Sequence, residues 1–185
     1  MADDSNLSVR LVTPERVLVS GPASEVVLRT REGDITFLAG SAPTVGTVEP
    51  GVVRITLTDD TEGAAEGAGD GGVQRVAVHG GFVQVDQHVP SEGDEPETSD
   101  GGTRVTILAG VAELSGEIDV ERAQTAHDAA EAKVTELSGA AAGRPGAGED
   151  DEIDPELAEA QAALVRSEVR MEATEAVVTG AAVTA

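Results

Sequence analysis

Residues 31–51, REGDITFLAGSAPTVGTVEPG, place turn residues at fixed offsets between short apolar runs. Glu32-Gly33-Asp34 has the composition of a tight turn in which Gly33 takes a positive φ. Two further groups, Gly40-Ser41-Ala42-Pro43 and Glu49-Pro50-Gly51, are also turn signals. This spacing predicts short antiparallel strands.

Alternating apolar and polar residues extend this pattern from Leu7 to about Val111, with Gly, Pro, Asp or Ser bounding each run. Closely spaced short strands are typical of a β-sandwich, and we expect about ten of them. The clearest runs are Leu7–Leu11, Val26–Arg29, Val52–Leu57, Val73–Val78, Phe82–Val85 and Thr103–Leu108.

Two segments inside the predicted sandwich differ from it in composition. Residues 59–72 and 87–102 are both acidic and rich in glycine. Segments of this composition bury little apolar surface. We expect both to be solvated hairpin loops lengthened by insertion.

After Gly116 the apolar period changes from two to about 3.6. One helix is predicted from the stripe Ile118, Val120, Ala123, Ala126, Ala130, Val134 and Leu137, with Asp119 as its N-cap. A second helix begins at Asp154-Pro155 and carries the stripe Ala158, Ala162, Val165, Val169, Ala173 and Ala176, widened by Leu157, Leu164 and Met171. Residues 138–154 are expected to form a flexible linker between the two helices.

The sequence thus predicts an α+β protein with an N-terminal β-sandwich at residues 1–114. A C-terminal antiparallel two-helix hairpin follows at residues 115–185. Both helices are rich in alanine, and burying one alanine methyl contributes only about 1 kcal/mol or less. We therefore expect the hairpin to dock weakly and to be able to move.

Composition excludes several classes of protein. The formal net charge is −23, so the basic surface that nucleic acid binding requires is missing, and adsorption to anionic lipid is not expected. The chain has no cysteine, and its acidic N-terminus does not have the pattern of a signal peptide. No apolar run approaches the roughly 18–20 residues of a membrane helix. We expect a cytoplasmic chain without direct membrane insertion.

No catalytic or metal-binding motif is apparent. His79, His88 and His127 lie in different contexts, without the spacing of metal ligands. His79 is expected to be a turn residue after a strand. Neither a P-loop nor a nucleophile elbow is present, so the sequence predicts a protein without catalytic activity of its own.

One constellation could bind phosphate. Arg166 and Arg170 are four residues apart on one face of the second helix, where two guanidinium groups could meet phosphate oxygens. In so acidic a chain, an equally good interpretation is that both arginines form surface ion pairs with glutamates. Arg122 would then pair with an acidic residue, and Asp119 would only cap the first helix.

The order of parts and the segment at residues 31–51 resemble the epsilon subunit of bacterial F-type ATP synthases. The family motif there reads approximately EGxIGIxPGHAP, followed by a short strand and Pro-Gly. The resemblance covers the sandwich and both helices. It implies a central-stalk rotor component that binds the gamma subunit and the c ring and that contacts the alpha/beta head transiently.

The resemblance also implies two sets of functional residues. Some members bind ATP through an I/L-D-x-x-R-A motif, an upstream glutamate and an R-x-x-x-R pair. The matching residues here are Glu113, Asp119, Arg122, Ala123, Arg166 and Arg170. Contact with the c ring would involve Glu32, Gly33, Asp34 and Ser41, where Ser41 replaces the family's usual histidine.

Function follows from the resemblance in the same way. The chain would link gamma to the c ring and couple proton transport to ATP synthesis, at the cytoplasmic face of the cell membrane. Its mobile helices would regulate ATP hydrolysis, with ATP as a regulatory ligand and no obligatory cofactor. The alternative is a free-standing β-sandwich nucleotide sensor.

Overall fold

The computed structural model describes residues 7–58, 72–88, 102–142 and 154–180. Nine strands, one turn of 3-10 helix and two α-helices occur in these ranges. The strands are β1 Leu7–Val12, β2 Val17–Thr30, β3 Gly33–Phe37, β4 Thr44–Val48, β5 Gly51–Leu57, β6 Val73–Val78, β7 Gly81–His88, β8 Gly102–Ala109 and β9 Ala112–Leu114. The 3-10 turn is Ser115–Glu117, and the helices are α1 Val120–Ala142 and α2 Pro155–Gly180.

The long strand β2 joins the two layers of the sandwich. Its first half pairs with β1, and its second half pairs with both β3 and β5. The hydrogen-bonded path runs β4-β7-β8-β1-β2-β5-β6-β9, with β3 attached to β2. We call β4, β7, β8, β1 and the start of β2 the first layer. The second layer consists of β3, the end of β2, β5, β6 and β9.

Aliphatic side chains fill the space between the layers. Strand β1 alternates buried and more exposed positions, as the period-two pattern predicts. Phe37 is the one aromatic residue in this core, since the chain's other phenylalanine, Phe82, is 60% exposed. The remaining core residues are mainly valine, leucine and isoleucine. Their branched side chains fit the pleated strands of a sandwich.

The sandwich agrees with the fold class predicted from sequence, and each of the six clear apolar runs forms a strand. The main difference is β2, which is 14 residues long instead of four. Its register is interrupted between Ala23 and Glu25, where the strand changes partners. The turn signal Gly21-Pro22 concealed this continuity. Pro22 is tolerated there because it lies next to the irregular part of the strand.

The segment at residues 31–51 has the predicted turns. Gly33 has a φ of +123° and Gly40 a φ of +82°, both in the region that favours glycine. Between the turns, β3 pairs with β2 and β4 pairs with β7. The segment therefore supplies one edge strand to each layer.

The second predicted insert begins and ends inside strands. Gln87 and His88 belong to β7, and Gly102 begins β8. Continued pairing of β7 with β8 extends the ladder to His88 and Gly102. The residues between them, and residues 59–71 of the other predicted insert, lie outside the described ranges.

The helices form an antiparallel pair. The Lys133 ammonium near the end of α1 lies 3.9 Å from the Glu156 carboxylate at the start of α2. Asp119 and Asp154 both cap helices, since their Oδ1 atoms accept hydrogen bonds from the amides of Arg122 and Glu156. In the described part of the chain, neither helix combines the length and apolar character required to cross a bilayer.

Two details of the predicted hairpin need correction. Helix α1 continues to Ala142, through the first residues of the predicted linker, because alanine has high helix propensity. The predicted apolar stripes of both helices are also partly wrong. In α1, Val120 and Ala126 are exposed. In α2, Ala158, Ala162 and Val165 are exposed, whereas Ser167 is buried. The Ser167 hydroxyl donates a hydrogen bond to the Leu164 carbonyl, which makes its burial inexpensive.

We predict that Gly81→Ala destabilises the sandwich. A Cβ at this position would lie 2.3 Å from the Leu108 carbonyl oxygen, and strand backbone cannot move aside easily. The expected loss is about 1–3 kcal/mol in the free energy of unfolding, measured by urea denaturation. Gly110→Ala is the control, since its Cβ would meet no atom within 4 Å. Equal stability of the two variants would contradict this prediction.

Candidate functional site

The outer face of the second layer presents one short cross-strand row to the helices. Val52 on β5 pairs with Ala77 on β6, and Ala77 pairs with Glu113 on β9. Helix α2 covers the apolar part of the row with Val169 and Ala173. The complete buried cluster is Val52, Ala77, Ile118, Ala123, Val169 and Ala173. Because half of these side chains are alanine methyls, the apolar contribution to docking is modest.

The carboxylate at the end of this row binds the helix. Arg170 Nε donates hydrogen bonds to Glu113 Oε1 at 2.9 Å and to Oε2 at 3.2 Å. Arg170 Nη2 donates to Oε1 at 2.5 Å. Both side chains are about one third exposed, so the pair is screened less than a surface ion pair. Hydrogen bonding by Arg170 lowers the pKa of Glu113.

A buried histidine lies beside this pair. The side chain of His79, which follows β6, is only 5% exposed, and its Nε2 atom lies 3.6 Å from Glu113 Oε1. Neither ring nitrogen has a hydrogen-bond partner among the described residues. Burial is the main reason that the pKa of His79 is lowered, and the positive charge of Arg170 lowers it further. The surroundings of His79 therefore favour its neutral imidazole form.

A cavity of about 330 Å³ opens between the start of α1 and the Glu113–Arg170 pair. It gathers five of the six residues that the sequence assigned to nucleotide binding. The exception, Arg166, does not line the cavity, although its charge contributes to lowering the pKa of His79. The cavity is lined by Glu113, Glu117, Ile118, Asp119, Arg122, Ala123, Ala126 and Arg170.

The charged groups that line this cavity differ in whether another residue already binds them. The Asp119 carboxylate caps α1, and Arg170 is bound to Glu113. The Arg122 guanidinium makes no hydrogen bond or ion pair with any other residue that the structure describes. Arg122 is thus the cation most ready to meet an anion in the cavity.

Sequence reasoning missed two residues of this region. Glu117 lines the cavity and accepts a 2.5 Å hydrogen bond from Arg16 in the turn between β1 and β2. His79 was predicted correctly as a turn residue after a strand, but its burial beneath α2 was not foreseen. The contact of Glu117 with Arg16 and the burial of His79 both depend on residues distant along the chain. The local sequence therefore contained no signal for them.

The residues expected to face the c ring occupy two places. Glu32, Gly33 and Asp34 belong to the hairpin between β2 and β3, and all three are exposed. They line one side of a cleft of about 530 Å³ between the edge strands β3 and β4. Asp34 Oδ1 accepts a hydrogen bond of 3.0 Å from Arg29 Nε, and this interaction raises the pKa of Arg29.

Ser41 lies beyond the opposite end of β3, which spans roughly 13 Å. Its hydroxyl accepts a hydrogen bond of 2.9 Å from the Leu38 amide, and its carbonyl accepts one from Gln87. The serine therefore closes the turn between β3 and β4 and fastens it to β7. It is not among the residues that line the cleft beside Glu32.

Comparison with known proteins places this architecture in a family. Residues 6–89 match the family model of the ATP synthase delta/epsilon chain beta-sandwich domain. The ATP synthase epsilon chain of Thermobifida fusca is 42% identical over 132 residues, which are 71% of this chain and 79% of that protein. The chain belongs to the ATP synthase epsilon chain family. It is thus a component of an F-type ATP synthase.

Membership extends over both parts of the chain. The epsilon chain of Symbiobacterium thermophilum is 32% identical over 173 residues, which are 93% of this chain and 95% of that protein. A chain in the solved Euglena gracilis mitochondrial ATP synthase, a structure of OSCP, F1 and the c-ring, shares the fold. Its TM-score is 0.52 and its identity 21%, with coverage of 96% of this chain and 81% of that one. The family favours a synthase subunit over a free-standing sensor.

We predict that Glu113→Gln weakens the docking of α2 by about 1–2 kcal/mol, because it removes charge-assisted hydrogen bonds to Arg170. Amide hydrogen exchange should therefore accelerate in α2 but not in β1 or β8. The matched control is Glu117→Gln, whose partner Arg16 is 54% exposed and whose loss should cost under about 1 kcal/mol.

The Glu113–Arg170 pair also predicts how the docking of α2 changes as the pH falls. Because the pKa of Glu113 is lowered in the folded chain, the contribution of the Glu113–Arg170 pair to docking is complete above the ordinary carboxyl pKa. It is lost as the pH falls through the lowered value. Equal exchange rates for the Glu113 and Glu117 variants would contradict this account of docking.

Proposed function

We propose that the chain is a non-catalytic rotor subunit of the central stalk, linking the gamma subunit to the c ring. It would couple proton transport to ATP synthesis from the cytoplasmic face of the cell membrane, held there through the complex. Family membership supports this function, and one surface of the sandwich supports the contact with gamma.

This surface is an apolar row across the outer face of the first layer. The strand registers place Phe82 of β7 opposite Leu108 of β8, and Leu108 opposite Val12 of β1. Val12 in turn pairs with Val17 of β2. Phe82 is 60% exposed, Leu108 52% and Val17 44%. Four adjacent strands thus expose one continuous apolar row, as protein interfaces commonly do.

The charges beside the row support a protein partner. Arg10 of β1 and Arg104 of β8 line an adjoining groove of about 340 Å³ that also reaches Leu108. Two arginines on one face contrast with the formal charge of −23 for the whole chain. Apolar anchors with neighbouring arginines are typical of interface centres. We assign this face to the gamma subunit.

Contact with the c ring is assigned to the hairpin that contains Glu32, Gly33 and Asp34, together with the turn at Ser41. The hairpin is supported by its exposed carboxylates and by the open cleft beside it. Since Ser41 lies beyond the other end of β3, the proposed contact would have to extend along that strand.

We predict that Leu108→Glu weakens binding to the gamma subunit at least tenfold, because it places a carboxylate in the centre of the apolar row. The measurement is surface plasmon resonance with immobilised gamma subunit. Val120→Glu is the control, since Val120 is 49% exposed but belongs to α1. Unchanged binding by the Leu108 variant, or equal weakening by both, would contradict the assignment.

A regulatory nucleotide is proposed for the cavity beside α1. Arg122 and Arg170 would bind phosphate oxygens, and Arg166 would approach from the preceding turn of α2. Asp119 and Ala123 would shape the wall of the cavity. Arg170 must exchange Glu113 for phosphate when ATP binds. Since Arg122 and Arg170 come from different helices, ATP would favour the closed hairpin through its higher affinity for that state.

Release of the hairpin would let α2 extend along gamma toward the alpha/beta head and oppose ATP hydrolysis. Helix α2 carries Glu156, Glu159, Glu168, Glu172 and Glu175 but only two arginines. Contact with acidic surfaces of the head would therefore be weak. The proposed inhibition is correspondingly small.

We predict that calorimetric titration of the isolated chain with ATP gives a saturable heat, and that Arg122→Gln reduces the affinity at least tenfold. Arg122 is the available cation of the cavity, and its loss removes one phosphate contact. Arg75→Gln, on β6 and outside the cavity lining, is the control. Absence of heat at millimolar ATP would overturn the nucleotide proposal while leaving the rotor function intact.

A further inference from the structure

The buried histidine at the junction of sandwich and hairpin has no place in the nucleotide cavity or at the proposed gamma and ring surfaces. His79 follows β6, its side chain is 5% exposed, and neither ring nitrogen has a hydrogen-bond partner among the described residues. A buried polar ring without a partner is costly, so its presence under α2 requires an explanation.

Three charged groups face this ring. Glu113, from β9, lies 3.6 Å from His79 Nε2. Arg170, from α2, binds Glu113 through both of its carboxylate oxygens. Arg166, one turn earlier on α2, is near enough to act on the histidine through its charge. The ring thus lies beside a carboxylate that Arg170 already binds, and the second arginine, Arg166, is also near it.

We propose that His79, Glu113 and Arg170 form a proton-operated latch, in which protonation of His79 releases helix α2 from the sandwich. This latch acts on docking of the helix itself and does not require nucleotide.

The charges around His79 differ between the docked and released positions of α2, and this difference determines which position protonation favours. While α2 is docked, an imidazolium would be buried beside two arginines with a single carboxylate between them. When α2 departs, both arginines leave with it, water reaches the ring, and Glu113 becomes free to pair with the imidazolium. Protonated His79 is therefore unfavourable in the docked state and favourable in the released state.

The difference in the pKa of His79 between the docked and released states determines how docking changes with pH. Burial and the two arginines lower the pKa of His79 in the docked state, whereas release returns it toward the ordinary value of about 6.5. Docking is strongest above that ordinary value and weakens as the pH falls toward the lowered one. Each pKa unit that separates the two states changes the released-to-docked ratio roughly tenfold.

Sequence composition makes a direct distance measurement feasible. The chain has no cysteine, so Glu15→Cys in the turn between β1 and β2 and Glu168→Cys on α2 would be the only labelling sites. Both positions are exposed. Single-molecule energy transfer between dyes at these sites would report docked and released populations of the full chain.

Between pH 8 and pH 5.5, the released population of the labelled chain should rise several-fold, and His79→Gln should abolish most of this rise. His127→Gln is the control, since His127 lies in α1 beside Asp128. A pH-independent population in the unsubstituted chain would overturn the latch. So would a rise that His79→Gln leaves unchanged.

Ring titration by NMR provides a second measurement, should His79→Gln release the helix at every pH. In the unsubstituted chain, the His79 ring should titrate below the ordinary imidazole value, and Arg166→Gln should raise the pKa of His79 by removing one neighbouring charge. A His79 ring that titrates at or above the ordinary value while α2 remains docked would also overturn the latch.

Discussion

The ion pair between Glu113 and Arg170 is the interaction on which the arrangement of the two parts depends. Half of the six buried residues in the apolar contact beneath α2 are alanines, and burying one alanine methyl contributes only about 1 kcal/mol or less. A two-oxygen, charge-assisted contact at the edge of this small cluster supplies a substantial part of the docking energy. Any agent that competes for either partner can therefore move the helix.

Both proposed regulators act on this pair from opposite sides. A phosphate group in the cavity would compete for Arg170, and a proton on His79 would compete for Glu113. Their effects differ because phosphate would bring in Arg122 from α1 and keep the hairpin closed, whereas the imidazolium adds a positive charge under the helix. The rigid sandwich, whose core is filled by branched aliphatic residues, provides a fixed base for these changes.

Sequence reasoning captured the parts that local pattern determines. Period-two runs gave the strands, Asp119 and Asp154-Pro155 gave the helix starts, and Gly33 gave its turn. It failed where tertiary pairing decides the outcome. The continuity of β2 through Pro22 depends on a change of strand partners, and burial of Ser167 depends on how α2 packs against the rest of the fold.

In the candidate site, too, some residues are placed by local sequence and others by tertiary contacts. Asp119, Arg122 and Ala123 line one cavity because they lie within two turns of chain at the start of α1, a proximity that their spacing in sequence predicts. Burial of His79 could not be predicted, since it requires the register of β6 with β9 and the position of α2. Likewise, Ser41 and Glu32 are close in sequence, but β3 separates them in the structure.

A double-mutant cycle on Glu113→Gln and Arg170→Gln measures how much this ion pair contributes to the docking of α2. Hydrogen exchange of the α2 amides would give the docking free energy of the four chains. We expect a coupling energy of about 1–2 kcal/mol between the two side chains. A coupling energy near zero would show that the apolar cluster alone holds the helix, and would contradict the account.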